Sequence, residues 1–435
     1  MSNFVTQKYY YKKFNKIVLL FLLLTYAHSQ YSPIDKSMEK SIKDYIQTFK
    51  LGKLINDKKF TKSENPKISI IVSMHNVEKN IISVIRSIQN QNLEDIEIIC
   101  VNDNSKDKTL SILNTLKEED PRITIITNKS TRGFLYNIIH GALESKGEYI
   151  VFVDANDGIC NPEILLKAYN IATQKYNEKV EIVHYQTCGC QINQNGEMGN
   201  FFLYTTFSSN NFDKLIKQPE IGDNYLQKSK NITNSIFVFD KLYKRQLVKR
   251  VANFIGPHIW NQNLTFSDDL LFVYSLMKTT KSIVIIKDIG YWHSFETPTI
   301  NDEWDIEGYK LKNPEKSNKI IGDNIIVIER LLELTDNDKN SLEFREFILK
   351  KLGEEKYMKA LARSIYYDKY LSLYEKFLNW KYIDKQVKER TIQFVKFLLK
   401  FKFDSEKMFG YIIEEEDNDE EDDDDEDYMI KSNEL

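Results

Sequence analysis

The chain has 435 residues, of which 42% are hydrophobic and 29% charged, and this length and composition predict a folded protein of about two to three domains. The formal net charge of −4 gives no basis for binding nucleic acid, because proteins that do so carry a clear excess of basic residues. The four cysteines are too few for a disulfide scaffold, and they lack the second cysteine pair of a typical zinc site.

Residues 1–29 are typical of a secretory signal peptide. Three lysines precede an apolar segment at residues 17–27, which is shorter than the roughly 20 residues that a membrane-spanning helix needs. Small residues follow at Ala27 and Ser29 with the spacing of a signal peptidase site, and we therefore expect cleavage near Gln30. An uncleaved anchor is the alternative, and only then would the protein contact a membrane.

Other features agree with a protein of the endoplasmic reticulum lumen. Residues 414–427 contain 13 acidic residues in 14 positions, and because such a block repels itself we expect a disordered tail over 411–435. The final residues, KSNEL, resemble the retrieval signal KDEL. Sequons at Asn128, Asn231 and Asn263 would be open to glycosylation in that compartment. The acidic tail could also bind calcium weakly, so a luminal calcium-buffering protein is one alternative function.

The central part of the chain alternates between strand and helix patterns. Residues 30–65 are polar and rich in lysine, and we interpret them as a stem with one amphipathic helix near residues 38–55. From residue 66 onward, short β-rich segments alternate with segments of helical apolar spacing. The predicted strands are 68–72, 96–101, 123–126 and 149–153, and the predicted helices between them are 78–90, 107–119 and 134–145. This order predicts an α/β fold with a mostly parallel sheet covered by helices on both faces.

Three of the predicted strands end in a polar set: SMHN at 73–76, NDNS at 102–105 and DAND at 154–157. Because parallel strands point the same way, these sets should meet at the carboxyl edge of the sheet, where open α/β folds bind ligands. The first predicted strand is followed by neither a glycine-rich dinucleotide fingerprint nor a P-loop. Clustered carboxylates that hold a divalent ion on a phosphate-bearing ligand fit the pattern better.

The stretches ISIIVSMHNVEKN, IEIICVNDNSKDKTLSIL and SKGEYIVFVDANDGI, all within residues 67–175, resemble the nucleotide-binding half of the family 2 glycosyltransferases. A weaker likeness continues through FDKLYKR at 239–245 and FSDDLLF at 266–272. The resemblance implies a GT-A fold over residues 66–295 and a metal-dependent glycosyltransferase. Its partners would be a nucleotide-sugar donor, usually linked to UDP, and a hydroxyl acceptor on a glycan, protein or lipid, with Mn²⁺ or Mg²⁺ as the cofactor.

The resemblance also assigns roles to particular residues. Residues 154–157 take the place of the metal-binding DxD motif, with Asp154 and Asp157 as the metal ligands. Asp268 and Asp269 match an acidic pair whose second member is the base in inverting members of the family, since the acceptor hydroxyl must lose a proton as it attacks. A helix cap is the alternative role for this pair. The residues assigned to the nucleotide pocket are Ser73, His75, Asn76, Asp103, Asp154 and Asn156.

The chain departs from the family pattern in two places. Asn156 stands where the family has aspartate, and its neutral oxygen would lower the affinity for a metal. Ile138 and Ile139 replace an Arg-Asn pair that the family often has, and Arg132 is our candidate to contact the nucleotide instead. The predicted function is an inverting glycosyltransferase of the secretory lumen, and a catalytically degenerate sugar- or nucleotide-binding protein is the alternative on the same fold.

Residues 296–410 have helical apolar spacing with many tyrosines, phenylalanines and leucines, so we expect a helical C-terminal domain. Just before it, Trp292 and His293 follow a predicted strand at 283–286. The family often has an aromatic and basic stretch here that closes over the diphosphate, whereas a core aromatic beside a surface histidine is the alternative.

Overall fold

The computed structural model describes most of the chain between residues 31 and 400. The described residues are 31–55, 59–192, 198–204, 212–218, 220–222, 238–264, 267–296, 314–350, 361 and 364–400. They divide into two compact units, residues 1–300 and residues 301–435. The predicted signal peptide at 1–29 and the predicted acidic tail at 411–435 lie outside the described residues. None of the described helices is long and apolar enough to cross a membrane.

Unit 1 consists of one sheet with helices packed against it. Its described strands are β1 (Tyr31–Pro33), β2 (Ile68–Met74), β3 (Ile96–Asn102), β4 (Ile123–Thr127), β5 (Tyr149–Asp154), β6 (Gly158–Ile159), β7 (Ile182–Ile192), β8 (Met198–Tyr204), β9 (Leu215–Lys217), β10 (Lys241–Lys244) and β11 (Ser282–Glu296). Its described helices are α1 (Lys36–Lys50), α2 (Ile81–Gln89), α3 (Thr109–Glu119), α4 (Phe134–Glu144), α5 (Ile164–Gln174), α6 (Glu220–Gly222), α7 (Arg245–Ile255), α8 (Pro257–Trp260) and α9 (Asp268–Thr279).

The parallel part of the sheet has the strand order β5-β2-β3-β4. Ile70, Ile71 and Val72 of β2 are fully buried in succession, as expected of a strand with helices on both faces. Ile70 and Val72 share a core with α2 and α3. On the other face, Gly141 of α4 lies so close to β2 that a Cβ there would be 2.7 Å from Cγ2 of Ile71. The predicted α/β sheet covered by helices is therefore confirmed.

Antiparallel strands extend the sheet beyond β5. Strand β10 lies between β5 and β7, and β7 also pairs with β8, which in turn pairs with β1. The long strand β11 runs parallel to β7 and antiparallel to β6 and β9. Within the pairing of β11 with β6, Tyr291 is opposite Ile159 and Trp292 is opposite Gly158. Strand β11 therefore lies directly beside the residues that follow the DAND set.

Helix α1 packs onto the sheet through an apolar stripe. Ile42, Ile46 and Phe49 are buried, and the centre of the Phe49 ring lies 6.0 Å from the centre of the Trp292 ring. A helix with a continuous buried stripe is part of a folded core. The interpretation of residues 30–65 as a stem is corrected accordingly, because α1 contributes to the core of unit 1.

Unit 2 is helical, as predicted for the C-terminal region. Its described elements are α10 (Pro314–Leu334), a 3₁₀ turn (Lys339–Ser341), α11 (Leu342–Lys350), α12 (Tyr367–Leu378) and helical residues 385–400. Arg345 is buried and donates from Nη1 to the carbonyl oxygen of Leu332 at 2.8 Å and to Thr335 Oγ1 at 2.9 Å. Its guanidinium also lies 4.4 Å from the centre of the Trp380 ring. This arginine therefore connects α11 with the end of α10 and with Trp380, two residues after α12.

Candidate functional site

The polar sets that follow β2, β3 and β5 lie at one edge of the sheet. In the strand register, Ser73 is opposite Asp154 and Met74 is opposite Asn102. The N–H of Asp103 donates to the carbonyl oxygen of Met74 at 2.7 Å. The structure thus brings the three sets together at the carboxyl ends of the parallel strands, which is the usual ligand-binding edge of such a sheet.

Asp103 is buried and anchors the beginning of α4. Its Oδ1 accepts the Nδ2 hydrogen of Asn128 at 2.8 Å and the N–H of Arg132 at 2.8 Å. Its Oδ2 accepts the N–H of Gly133 at 3.0 Å, and Gly133 has a φ of 83°, which glycine adopts without strain. Oδ2 keeps a lone pair. Asp103 can therefore accept a hydrogen bond from a nucleotide base while it fixes the backbone at the beginning of α4.

A chain of amide hydrogen bonds connects Asp103 to β2. Asn128 Nδ2 donates to Asn137 Oδ1 at 2.8 Å as well as to Asp103, and Asn137 Nδ2 donates to Ser73 Oγ at 3.0 Å. Both asparagines are buried. Neither was predicted as a site residue, although an asparagine on the buried face of a predicted helix is a signal that could have indicated Asn137.

His75 and Asn76 form the β2 side of this edge. His75 Nδ1 lies 2.7 Å from the carbonyl oxygen of Asp103, so Nδ1 carries the proton and Nε2 can accept the Asn76 Nδ2 hydrogen at 3.0 Å. Asn76 has a φ of 53°, a left-handed conformation that asparagine tolerates. Its N–H donates to Ser105 Oγ at 3.0 Å. The ends of β2 and β3 are therefore held together by side chains predicted to line the nucleotide pocket.

Residues 154–157, which we call the DAND turn, follow β5 at the same edge. The N–H of Asp154 donates to Tyr291 Oη at 3.0 Å, and Asp154 Oδ1 accepts the N–H of Asn156 at 2.8 Å. Asn156 is exposed, and its Oδ1 accepts the Nδ2 hydrogen of Asn80 at 2.9 Å. Burial, together with the nearby charge of Asp157, raises the pKa of Asp154 to about 6.

Asp157 is buried and joins the DAND turn to β11. Its Oδ2 accepts the Tyr291 hydroxyl hydrogen at 2.9 Å, and its Oδ1 accepts the N–H of Ser294 at 3.0 Å. His293 Nδ1 lies 3.0 Å from both carboxylate oxygens. Burial opposes a charge on His293, but the hydrogen bond and the charge of Asp157 outweigh it and raise the pKa of His293. Of the two residues that the sequence suggested for closing over the diphosphate, His293 contacts Asp157, and Trp292 Nε1 donates to Cys190 Sγ at 3.2 Å.

The donor set of the DAND turn can be compared with the needs of a divalent ion. Mg²⁺ and Mn²⁺ take carboxylate and amide oxygens, which Asp154 and Asn156 supply. Burial, and after it the charge of Asp157, raises the pKa of Asp154, and a cation beside this carboxylate would favour its charged form. Asp157 fits less well than predicted, because both of its oxygens already accept hydrogen bonds from β11. Among the described residues, no group of three or more His, Cys, Asp or Glu side chains could hold a metal by itself.

Asp268 and Asp269 begin helix α9. Asp268 is 6% exposed, and its Oδ2 accepts the N–H of Leu135 at 3.0 Å. Burial, together with the neighbouring Asp269, raises the pKa of Asp268 to about 7. Asp269 is more exposed, and its Oδ1 accepts the N–H of Leu270 at 2.7 Å. The two carboxylates therefore differ in environment. Asp268 is buried and hydrogen-bonded to the backbone of Leu135, whereas Asp269 is more exposed to solvent.

The raised pKa of Asp268 should make the stability of the folded protein depend on pH. Its pKa in the folded protein, about 7, lies above its ordinary value of 3.8, so the folded state binds more protons than the unfolded chain between these values. Its contribution is therefore fully present below about pH 4 and is lost as the pH rises through about 7. Because asparagine does not ionise, Asp268→Asn should gain stability relative to wild type between about pH 5 and about pH 8, measured by urea unfolding. A difference that is the same at both values would contradict the raised pKa.

Arg132 contacts the pocket through its backbone rather than its guanidinium. Its Nη2 donates to the carbonyl oxygen and Oδ1 of Asn261, at 2.5 and 2.6 Å, and the guanidinium lies 4.2 Å from the centre of the Tyr136 ring. Ile138 and Ile139, at the positions of the missing Arg-Asn pair, are buried in the core. A nucleotide contact by this guanidinium would require it to leave Asn261, so its part in binding remains a prediction.

Comparison with known proteins gives a matching family model and several relatives. Residues 69–248 match the model of "Glycosyl transferase family 2". The GalNAc(5)-diNAcBac-PP-undecaprenol beta-1,3-glucosyltransferase of Campylobacter jejuni is 34% identical over 138 residues, which are 32% of this chain and 42% of that protein. The poly(ribitol-phosphate) beta-glucosyltransferase of Bacillus spizizenii is 37% identical over 234 residues, which are 52% of this chain and 32% of that protein. The chain thus spans less than half the length of both enzymes.

Two further comparisons cover more of the chain. An uncharacterized glycosyltransferase of Haemophilus influenzae is 27% identical over 353 residues, which are 76% of this chain and 99% of that protein. A crystal structure of S. aureus TarS in complex with UDP-GlcNAc is 17% identical, covers 78% of this chain and 89% of that chain, and has a TM-score of 0.43.

Proposed function

Because residues 69–248 match the glycosyl transferase family 2 model and the fold is of GT-A type, we propose that this chain belongs to that family and transfers a sugar from a UDP-linked donor to a hydroxyl group of an acceptor. The observation that carries the proposal is the meeting of three elements at one sheet edge. These are the nucleotide pocket around Asp103, the DAND turn, and the acidic pair at the start of α9, which Leu135 ties to the same edge.

The proposed reaction is a single displacement with inversion. The acceptor oxygen attacks the anomeric carbon as the bond from that carbon to the diphosphate oxygen breaks, and the hydroxyl proton passes to the carboxylate of Asp269. The leaving group is the nucleoside diphosphate. Asp268 is the weaker candidate for the base, because it is buried and its Oδ2 already accepts the N–H of Leu135, whereas Asp269 is more exposed to an acceptor hydroxyl.

The metal is part of the same proposal. A Mn²⁺ or Mg²⁺ ion held by Asp154 and Asn156 would neutralise the charge that develops on the departing diphosphate. Asp157 supports this arrangement indirectly, because its hydrogen bonds with Tyr291 and Ser294 hold the DAND turn against β11.

The names of two relatives support the stereochemistry. Both are called beta-glucosyltransferases, and an α-linked donor that yields a β-linked product is displaced with inversion. Transfer from UDP-sugars by the purified protein, with and without Mn²⁺, tests the activity, and NMR of the product tests the configuration. An α-linked product from an α-linked donor would rule out a single displacement, and UDP binding without transfer to any acceptor would favour a binding protein.

Asn156 favours that second candidate, a degenerate binding protein, and its substitution tests whether residue 156 is a metal ligand. Asn156→Asp adds a charged oxygen ligand and should tighten Mn²⁺ binding in the presence of UDP by about 10-fold, measured by calorimetry. Transfer should stay the same or rise. Asp keeps an oxygen that can accept the Asn80 hydrogen seen in the structure, so the turn should be preserved. Weaker metal binding in Asn156→Asp would contradict the assignment of this residue.

A location in the endoplasmic reticulum lumen belongs to the proposal and rests on the apolar segment at 17–27 and the terminal SNEL. If a receptor reads SNEL, deleting these four residues should release the protein into the medium, whereas deleting residues 414–427 alone should not. Retention that persists without SNEL and is lost only in detergent would indicate an anchor at 17–27 instead.

A further inference from the structure

Residues 132–135, which we call the coupling turn, contact both halves of the candidate site. On one side, Asp103 accepts the first two N–H groups of the turn, at 2.8 and 3.0 Å. On the other side, Asp268 accepts the N–H of the last residue, Leu135, at 3.0 Å. Four consecutive residues therefore connect the nucleotide pocket with the helix that carries Asp269.

Two further contacts hold the segment before α9 to the coupling turn. Arg132 Nη2 donates to the carbonyl oxygen and Oδ1 of Asn261, at 2.5 and 2.6 Å. Gly133 lies so close to Leu264 that a Cβ would be 2.0 Å from the carbonyl oxygen of that residue. The turn therefore has no room to shift toward this segment, and a displacement of one should be transmitted to the other.

We propose that Asp268 is a positioning residue that fixes Asp269 relative to the nucleotide pocket by holding α9 to the coupling turn. The inference rests on the proposed transferase function. A displacement of a reacting group by about 1 Å can lower a rate by about 10²-fold. Loss of the contact between Asp268 and Leu135 should therefore lower kcat, while donor binding, which depends on Asp103 and its neighbours, should change little.

Two substitutions of Asp268 separate positioning from acid–base chemistry. Asp268→Asn keeps an oxygen that can accept the Leu135 N–H, and we expect its kcat to stay within about 3-fold of wild type. Asp268→Ala removes that oxygen, and its kcat should fall by about 10- to 100-fold with a donor KM within about 3-fold of wild type. If Asp268 were the base, both variants would be equally inactive, and that result would overturn the proposal.

Asn261→Ala tests the same coupling at an exposed contact whose loss should not prevent folding. It removes the Oδ1 contact to Arg132, so kcat should fall by about 3- to 10-fold with an unchanged donor KM. Gln262→Ala is the matched control, because Gln262 Nε2 donates to the carbonyl oxygen of His258 rather than to the coupling turn. A kcat in Asn261→Ala equal to that of the control would count against the coupling.

Hydrogen exchange provides a measurement that needs no turnover. In wild type, saturating UDP should slow amide exchange in the first turn of α9, at residues 268–272, because the coupling turn connects it to the pocket. The same amides should respond less in Asp268→Ala and Asn261→Ala. If UDP binds wild type and leaves α9 unchanged, the inference is wrong while the proposed function stands. If wild type does not bind UDP, both are wrong.

Discussion

Asp269→Asn is expected to lower the rate of glycosyl transfer by about 10²- to 10⁴-fold while the donor still binds. The substitution keeps the size of the side chain and the oxygen that accepts the Leu270 N–H, so the beginning of α9 should be preserved. What it removes is the carboxylate that takes the proton from the acceptor hydroxyl. The effect should therefore fall on kcat, because the base acts in the transition state and makes no contact on which donor affinity depends.

Single-turnover transfer measures this effect, and calorimetry with UDP measures donor binding in the same variant. Asp288→Asn is a suitable control, because Asp288 forms an ion pair with Lys167 at 2.7 Å on the surface of unit 1. Surface pairs contribute little to stability, so the control should behave as wild type. Full transfer by Asp269→Asn would remove the base from this position.

Asp157→Ala is expected to destabilise unit 1 and to abolish nucleotide binding at the same time. Asp157 is buried and accepts hydrogen bonds from Tyr291, His293 and Ser294. Removing one partner of a buried charged network typically costs about 3–5 kcal/mol, because the remaining groups lose their partners. The DAND turn would then separate from β11, and the oxygens of Asp154 and Asn156 would no longer be held at the sheet edge.

Urea unfolding and UDP titration test this prediction together. Asp154→Ala is the comparison, because Asp154 is less buried and its side-chain oxygen accepts one N–H within the turn itself. It should lose metal-dependent binding with a smaller loss of stability. The resemblance assigns Asp157 the role of a metal ligand, and the loss of a metal ligand alone would leave the fold intact. A stable Asp157→Ala protein that has lost only metal binding would restore that role.

The parallel strands could be predicted closely because each is a short, mostly apolar run that is followed by polar residues. The strand predicted at 68–72 is observed at Ile68–Met74, for example. Strand β10 could not be found in this way, since Lys241 is fully buried within it and forms an ion pair with the buried Asp240. A charged residue in a core strand interrupts the hydrophobic pattern, and its partner is identified only when the chain has folded.

The candidate site could also be predicted only in part, because some of its contacts join residues that are far apart in sequence. The DAND turn was identified because it follows a predicted strand, and the acidic pair at 268–269 because of the resemblance to family 2. The role of Asp157 was not, because Tyr291 and His293 are more than a hundred residues away along the chain. Contacts of this kind depend on the pairing of β11 beside β6, which local sequence patterns do not encode.

Asn128 has a further consequence for how the protein is made. It begins the sequon Asn128-Lys129-Ser130, yet it is only 9% exposed and donates both Nδ2 hydrogens, to Asp103 and Asn137. An N-linked glycan would take the place of one of these hydrogens. In a cell that glycosylates the chain as it enters the lumen, oligosaccharide attachment and closure of the pocket compete for the same nitrogen. If the chain enters the lumen as proposed, the expression host would affect what fraction of molecules can complete the site, and Ser130→Ala would remove the competition without altering Asn128.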